Sequence, residues 1–152
     1  MAAKLELHPI QLKTLRVQQL EIELFDVNRA LESDLDAPFT FQVGASKLDT
    51  ERSLISVGMR GFVGRSVDDA REEGVPPQHG DFPFLMRVHI LGLFEIDLEQ
   101  FKAEHVPRWA EMNAPLILYP YLREHIYGLA SRAGLKEVIL PLFTLPTLSN
   151  KN

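Results

Sequence analysis

The chain has no cysteine among its 152 residues. Disulfide bonds, thiol nucleophiles and thiolate-bound metal sites are therefore excluded. An excess of positive charge is also lacking, because 16 Lys and Arg residues stand against 21 Asp and Glu residues, a formal net charge of -5 at pH 7. A nucleic-acid-binding protein needs clustered cations to neutralise phosphates. The composition therefore predicts no nucleic acid among the partners.

Long hydrophobic runs are missing as well. No segment approaches the roughly 20 apolar residues that cross a bilayer, and residues 1–13 lack the apolar core of a signal peptide. We therefore expect a cytoplasmic protein without membrane insertion. What is present, 45% hydrophobic and 24% charged residues, is ordinary for a globular chain of this length, and predicts a single domain over residues 1–152.

Alternating apolar residues predict a β-sheet in the first two thirds of the chain. Between Leu5 and Phe25 they come in pairs or triplets, and the alternation slips by one residue after each group, which predicts bulges in a strand. Three further alternating runs predict three more strands, of which the clearest lies at residues 84–98. Four strands with short turns predict an antiparallel meander. The exception is residues 64–80, which we expect to form a charged, mobile loop.

A helix is predicted at residues 113–134, after a connector at residues 99–112. Asn113 suits the N-cap, and Gly134 suits the left-handed residue just past the helix end. Pro120 lies inside the pattern, where its ring clashes with a preceding carbonyl and kinks the helix. One apolar stripe recurs at helical spacing. The predicted fold class is α+β, a four-stranded antiparallel meander with a proline-kinked helix packed behind it.

The polar residues show no pattern typical of catalysis or metal binding. The five histidines fall in separate segments, without the ligand spacing of a helix-borne metal site. Ser66, in the stretch GRSVD, lacks the strand, turn and helix context of a nucleophile elbow. The neighbouring acidic residues are interpreted as solvated charges of the loop. The sequence therefore predicts no enzyme, no cofactor and no metal.

A resemblance to a known family becomes specific at the helix. The run ILYPYLREHI, followed by SRAG and the apolar segment VILPLFTLP, resembles the signature of the protein-export chaperone SecB family. The stretches KLDTERSLISVGMRGFV, FLMRV and GLFEI resemble the family's third and fourth strands, in the same order. The resemblance runs from roughly Leu12 to Pro146. It implies a homotetramer, a dimer of dimers, with the kinked helices packed between sheets.

The resemblance implies an ATP-independent holdase that binds unfolded or non-native polypeptides. Its clients would be preproteins for export or one aggregation-prone protein such as an antitoxin. A structural oligomer subunit without client binding is the alternative, and core packing is the alternative for each aromatic residue. The residues expected to line a client groove are Phe94, Phe101, Trp109, Tyr119, Tyr121 and Phe143. The residues expected between subunits are Leu118, Leu122, Ile126, Gly128 and Leu129.

A partner surface for the translocation motor SecA is a further implication of the resemblance. The family commonly uses acidic residues of the sheet, a second C-terminal helix and an acidic tail for this contact. Only TLSNKN follows the segment VILPLFTLP here, so the second helix is expected to be absent. Because Arg87 stands where an acidic residue is common, we expect weak motor binding. The residues of the expected partner surface are Glu21, Glu23, Arg87, Glu95 and Asp97.

Overall fold

The computed structural model describes residues 3–32, 37–64 and 82–136. The elements in these ranges are β1 (Ile10–Leu24), α1 (Val27–Ala30), β2 (Phe39–Ala45), β3 (Leu54–Val63), β4 (Phe84–Ile96), a 3-10 turn (Ala103–His105), α2 (Val106–Met112) and α3 (Ala114–Arg132). The four-stranded antiparallel sheet with one main helix behind it confirms the predicted α+β class. None of the helices in these ranges has the length and apolar character needed to cross a membrane.

Three predictions fall outside the described residues. The loop predicted at residues 64–80 is described only at Gly64, the expected absence of a second C-terminal helix concerns residues after 136, and Phe143 lies in that same segment. These three stay predictions.

The strand order is β1-β4-β3-β2, which corrects the predicted meander. Strands β2, β3 and β4 are consecutive antiparallel neighbours as expected, but β1 pairs with β4 instead of β2. Length explains the difference, because β1 has 15 residues and finds a matching partner in the 13-residue β4 rather than in the 7-residue β2. The connection from β1 to β2 therefore crosses the sheet as in a Greek key, and β1 and β2 become the two edges.

The bulges predicted in β1 are confirmed. Its register against β4 shifts after Leu12 and again after Val17, where the apolar alternation slips in the sequence. Each shift returns the next apolar group to the same face of the sheet. The first apolar pair of the predicted pattern, Leu5 and Leu7, lies outside the strand. Strand β1 begins only at Ile10, and both leucines are almost fully exposed.

Helix α3 packs on one face of the sheet, which we call the inner face. Two strand glycines make room for it, since a Cβ at Gly92 would lie 2.8 Å from Cδ2 of Leu118 and one at Gly61 would lie 3.1 Å from Cδ2 of Leu122. Leu118, Leu122 and Ile126 have no exposed surface. Residues that alternate with these two glycines along β3 and β4 point to the opposite side, which we call the open face.

The helix ends agree only in part with the prediction. Pro120 lies inside α3, which is bent, and Gly134 has the predicted left-handed φ, at 73°. Asn113 makes no side-chain cap hydrogen bond, and its backbone N–H instead donates to the carbonyl of Trp109 at 2.8 Å. Helix α2 therefore leads directly into α3. The segment at 99–112, predicted as a connector, is in part helical.

Candidate functional site

Two of the aromatic residues predicted for a client groove lie in the core. Phe94 has no exposed surface and Trp109 is 6% exposed, and their rings meet edge to face with centroids 5.1 Å apart. Phe101 is half-buried beside this core, with its ring centroid 6.4 Å from that of His105. These contacts join β4 to the segment that carries α2. These aromatic residues therefore contribute to the packing of the core more than to an exposed binding surface.

A second aromatic group lies where α3 meets β2. Tyr119 is 7% exposed, and its ring centroid lies 6.4 Å from that of Phe39 and 6.3 Å from that of Phe41. The two phenylalanine rings stack at 5.9 Å and are half-buried. Val43 continues their row on the inner face and is 37% exposed. We call these four residues, Phe39, Phe41, Val43 and Tyr119, the edge floor.

The edge floor is uncharged at physiological pH. Burial raises the pKa of the Tyr119 phenol, an effect that the nearby Arg123 guanidinium opposes in part. Because a phenol already keeps its proton near neutrality, the raised pKa makes ionisation still less favourable. The surface beside β2 is therefore apolar, with one neutral hydroxyl.

Backbone groups of β2 lie next to the edge floor. The carbonyl of Pro38 accepts from the N–H of Gly64 at 2.9 Å, and the N–H of Ser46 donates to the carbonyl of Ser56 at 2.9 Å. Residues that bond to the partner strand recur at every second position, so the even-numbered residues of β2 bond to β3. The N–H and C=O of Val43 therefore point away from β3. Within the described ranges β2 has β3 as its neighbouring strand and no second one on its other side.

The remaining predicted groove residue, Tyr121, lies on the side of α3 that points away from the sheet. Three other exposed apolar residues share this side. We call Leu116, Ile117, Tyr121 and Tyr127 the outer helix face. The exposed carboxylate of Glu124 lies among them. A group of exposed apolar side chains with polar residues around it is typical of a contact with another chain.

The residues predicted to lie between subunits differ in how far they are buried within the single chain. Leu118, Leu122, Ile126 and Leu129 are buried against the chain's own core, which corrects their predicted position between chains. Gly128 lies on the other side of α3, where a Cβ would meet no atom closer than 3.7 Å. A contact between subunits through this helix therefore has to use the outer helix face.

The expected partner surface is divided between two ends of the sheet. Glu21 lies opposite Arg87 in the register, with Glu23 beside them on the same face. Glu95 lies near the far end of β4, roughly 25 Å away along the strand, and Asp97 follows the strand end. Glu95 also pairs with a lysine of β1, with 3.8 Å between Nζ and Oε1. The structure thus contains two small groups of mixed charge in place of one acidic patch.

Of the four residues of the edge floor, only Tyr119 is among those predicted from the sequence, and Phe39, Phe41 and Val43 are not. Their alternation shows that one face of β2 is apolar, but only the strand order shows that β2 is an edge. Two signals were available, since β2 is the shortest of the four strands and follows Pro38, and both features are typical of edge strands. No group of three or more potential metal ligands occurs within the described part of the chain.

No family model and no curated protein matches the sequence. Among solved structures, the fold is similar to the Mycobacterium tuberculosis Rv1957 SecB-like chaperone in complex with a ChAD peptide from the Rv1956 HigA1 antitoxin. The TM-score is 0.65 at 17% sequence identity, and the alignment covers 91% of this chain and 94% of that chain. Since nearly all of both chains align, the similarity includes the helix behind the sheet as well as the strands. The chain has the SecB-like fold.

Proposed function

We propose that this chain is an ATP-independent holdase that binds non-native polypeptides at the β2 edge. The observation that carries the proposal is the position of the edge floor directly beside outward-facing backbone groups of β2. An extended, unfolded client supplies matching partners, because its backbone continues the sheet while alternate side chains contact the floor. The SecB-like fold supports this proposal, because the similar mycobacterial protein is a chaperone solved with a peptide.

Binding of this kind depends little on the client's sequence. Backbone pairing is available to any extended segment except at proline, and a row of partly buried aromatic rings contacts many kinds of apolar side chain. Each site is therefore weak by itself. A long client that contacts several subunits gains about 10² to 10⁴ in avidity. A holdase of this design needs an assembly with several edges.

The assembly that we propose is a homotetramer, built as a dimer of dimers. Two exposed apolar surfaces are available for it. On β1, the 15-residue edge strand opposite β2, Val17 and Leu20 are exposed on the inner face, and two such edges can pair about a twofold axis. The outer helix face then packs one dimer on the other.

The client that we propose is one aggregation-prone cytoplasmic protein, such as an antitoxin, rather than unfolded preproteins in general. The similar mycobacterial chaperone is solved with a peptide from an antitoxin. The divided charges of the open face also fit poorly with recruitment of a basic partner. A dedicated client needs no delivery to a translocation motor.

Replacing Val43 by aspartate tests the client site. A charged side chain in the edge floor loses the valine's apolar contact and has to be desolvated when a client binds. We expect affinity for an unfolded probe, fluorescently labelled reduced and carboxymethylated lactalbumin, to fall about tenfold, which corresponds to about 1.4 kcal/mol. Fluorescence anisotropy measures the affinity. Light scattering during dilution of a denatured model protein measures the suppression of aggregation.

The matched control for this variant is Val27→Asp. Val27 is also an exposed valine, at 54%, but it lies on α1 and outside the edge floor. We expect this change to leave client affinity and aggregation suppression as in the unmodified protein. Equal losses in both variants would place client binding elsewhere. A stable assembly that never suppresses aggregation would favour the structural oligomer subunit.

Binding to the cognate motor SecA is expected to be weak and sensitive to salt. Exposed ion pairs contribute about 0 to 1 kcal/mol each and are screened by added salt. Glu21 and Glu23 are accompanied by Arg87, and Glu95 is already paired with a lysine, so few carboxylates remain available. Titration of SecA at low and at moderate salt measures the contact. Tight binding that resists salt would contradict this expectation.

A further inference from the structure

A cavity of about 330 Å³ lies on the open face, where β2, β3 and β4 run side by side. Gly44 and Gly58 form its floor and are opposite each other in the register of β2 and β3. Arg60 and His89 pair in the adjacent row and stand at its side. A Cβ on Gly44 would meet no atom within 4 Å, so the space above this glycine is open. The cavity therefore reaches the β2 edge.

The cavity is cationic although the protein is acidic overall. Arg60 is exposed and forms no ion pair with any residue in the described ranges. Neither β2 nor β3 contains an aspartate or glutamate. Burial, and to a lesser extent the charge of Arg60, lower the pKa of His89. At pH 7 the imidazole is therefore neutral and adds a hydrogen-bonding group, while the guanidinium supplies the charge.

The imidazole of His89 extends from β4 across β3 toward this space. A Cβ at Gly58 would lie 3.2 Å from Nε2 of the ring and 3.5 Å from Cδ1 of Leu91. Glycine at this position therefore leaves room for the ring above the strand. The imidazole and the guanidinium of Arg60 both border the same opening.

An extended client at the β2 edge would present its side chains alternately to the two faces of the sheet. The client residue beside Val43 would point to the edge floor, and its neighbour in the chain, beside Gly44, would point to the open face. Strands lie about 4.8 Å apart, which places the client backbone about 10 Å from β3. Gln42 lies directly opposite Arg60 in the register and also borders the cavity. The guanidinium of Arg60 therefore meets a client carboxylate along the diagonal over Gly44, where no side chain stands between them.

We infer that the β2 edge selects client segments in which an acidic residue stands between apolar residues, with the carboxylate held by Arg60 above Gly44. This inference rests on the proposed function and adds a sequence preference to it. Charge complementarity determines the choice of residue. A client lysine would meet a like charge, and an apolar side chain would offer the guanidinium no opposite charge.

Two synthetic peptides of alternating valine and serine test the preference. One carries glutamate in place of a central serine and the other carries glutamine, so they differ in charge at almost constant shape. We expect the unmodified protein to bind the glutamate peptide about three- to fivefold more tightly at low salt, which is the range of a well-placed exposed ion pair. The difference should shrink as salt is added. Fluorescence anisotropy of the labelled peptides measures both affinities.

Variants of the cavity identify the residues responsible. Arg60→Gln should abolish the preference and leave binding of the glutamine peptide unchanged. Gly44→Val should also abolish it, because the new side chain occupies the space above β2 without a clash and suits a strand. Arg16→Gln is the matched control, since Arg16 carries the same charge on the open face but lies on β1, beyond β4. It should keep the preference.

The outcomes separate this inference from the proposed function. If the unmodified protein binds both peptides equally, or if Arg60→Gln keeps the preference, the acidic selection is overturned while the holdase proposal stands. If it binds neither peptide nor the unfolded lactalbumin probe, the proposed client site fails and the preference fails with it. A preference that Arg16→Gln removes as fully as Arg60→Gln would indicate long-range charge instead of the cavity.

Discussion

Replacing Leu122 by alanine is expected to lower the free energy of unfolding by about 2–5 kcal/mol. The side chain has no exposed surface, and its two Cδ atoms lie 3.1 and 3.4 Å from the position of a Cβ on Gly61. Removing it leaves a cavity between α3 and the inner face. Helix and strand are already closely packed, so they cannot move together to fill it. Urea unfolding measures the loss, with Trp109, the only tryptophan, as the fluorescent probe.

The control for this prediction lies on the same helix. Leu116 is exposed on the outer helix face of the single chain, so Leu116→Ala in the Ile117→Glu background, which separates the proposed dimers, should cost less than about 1 kcal/mol. Both variants have to be compared at one protomer concentration, because the stability of an oligomer depends on concentration. Similar losses in the two variants would contradict the orientation of α3.

The local features of the fold could be predicted from the sequence because they follow from local periodicity. The bulges in β1 follow from slips in a pattern of period two, and the left-handed Gly134 follows from the end of a pattern of period 3.6. The strand order could not be predicted, because the pairing of β1 with β4 joins residues as distant as Ile10 and Ile96. Alternation indicates that a strand has an apolar face without indicating its neighbour.

The candidate site was predicted less completely for a related reason. The stripe of Leu118, Leu122 and Ile126 indicates a buried helix face, but periodicity does not distinguish the chain's own sheet from a second subunit. The glycines that accommodate the helix turn out to be Gly61 and Gly92, which lie in strands and contact it only through tertiary packing. Sequence therefore indicates which residues are buried better than it indicates what buries them.

Client binding at β2 restricts which surfaces can form the proposed assembly. If both β2 edges of a dimer bind client, the assembly must form through surfaces that leave β2 accessible. Pairing through β1 satisfies this condition, because β1 and β2 are opposite edges of the sheet. Pairing through the outer helix face brings the second dimer closer to the client site. Leu116 of that face and Tyr119 of the edge floor are neighbours near the same end of α3. Client binding and assembly are therefore expected to be coupled through this end of the helix.

Replacing Ile117 by glutamate is expected to convert the proposed tetramer into dimers. Ile117 and Tyr121 lie one helical turn apart on the outer helix face, where a carboxylate would have to be buried without a partner between two dimers. Size-exclusion chromatography with light scattering should show the mass halved, with the helical circular dichroism signal unchanged, because the substituted side chain contributes nothing to the protomer's core. Val27→Glu introduces the same charge at another exposed position and should leave the mass unchanged.

A second variant distinguishes the two interfaces. Val17→Lys places a charge on the edge strand β1, a change that opposes pairing between edges, and combined with Ile117→Glu it should give monomers. Gly128→Leu should also separate the dimers if the outer helix faces cross closely at that glycine, since the chain itself leaves space there. An unmodified protein that is monomeric at micromolar concentration would contradict the proposed tetramer. In that case each client would meet a single β2 edge, and the avidity on which a holdase of weak sites depends would be lost.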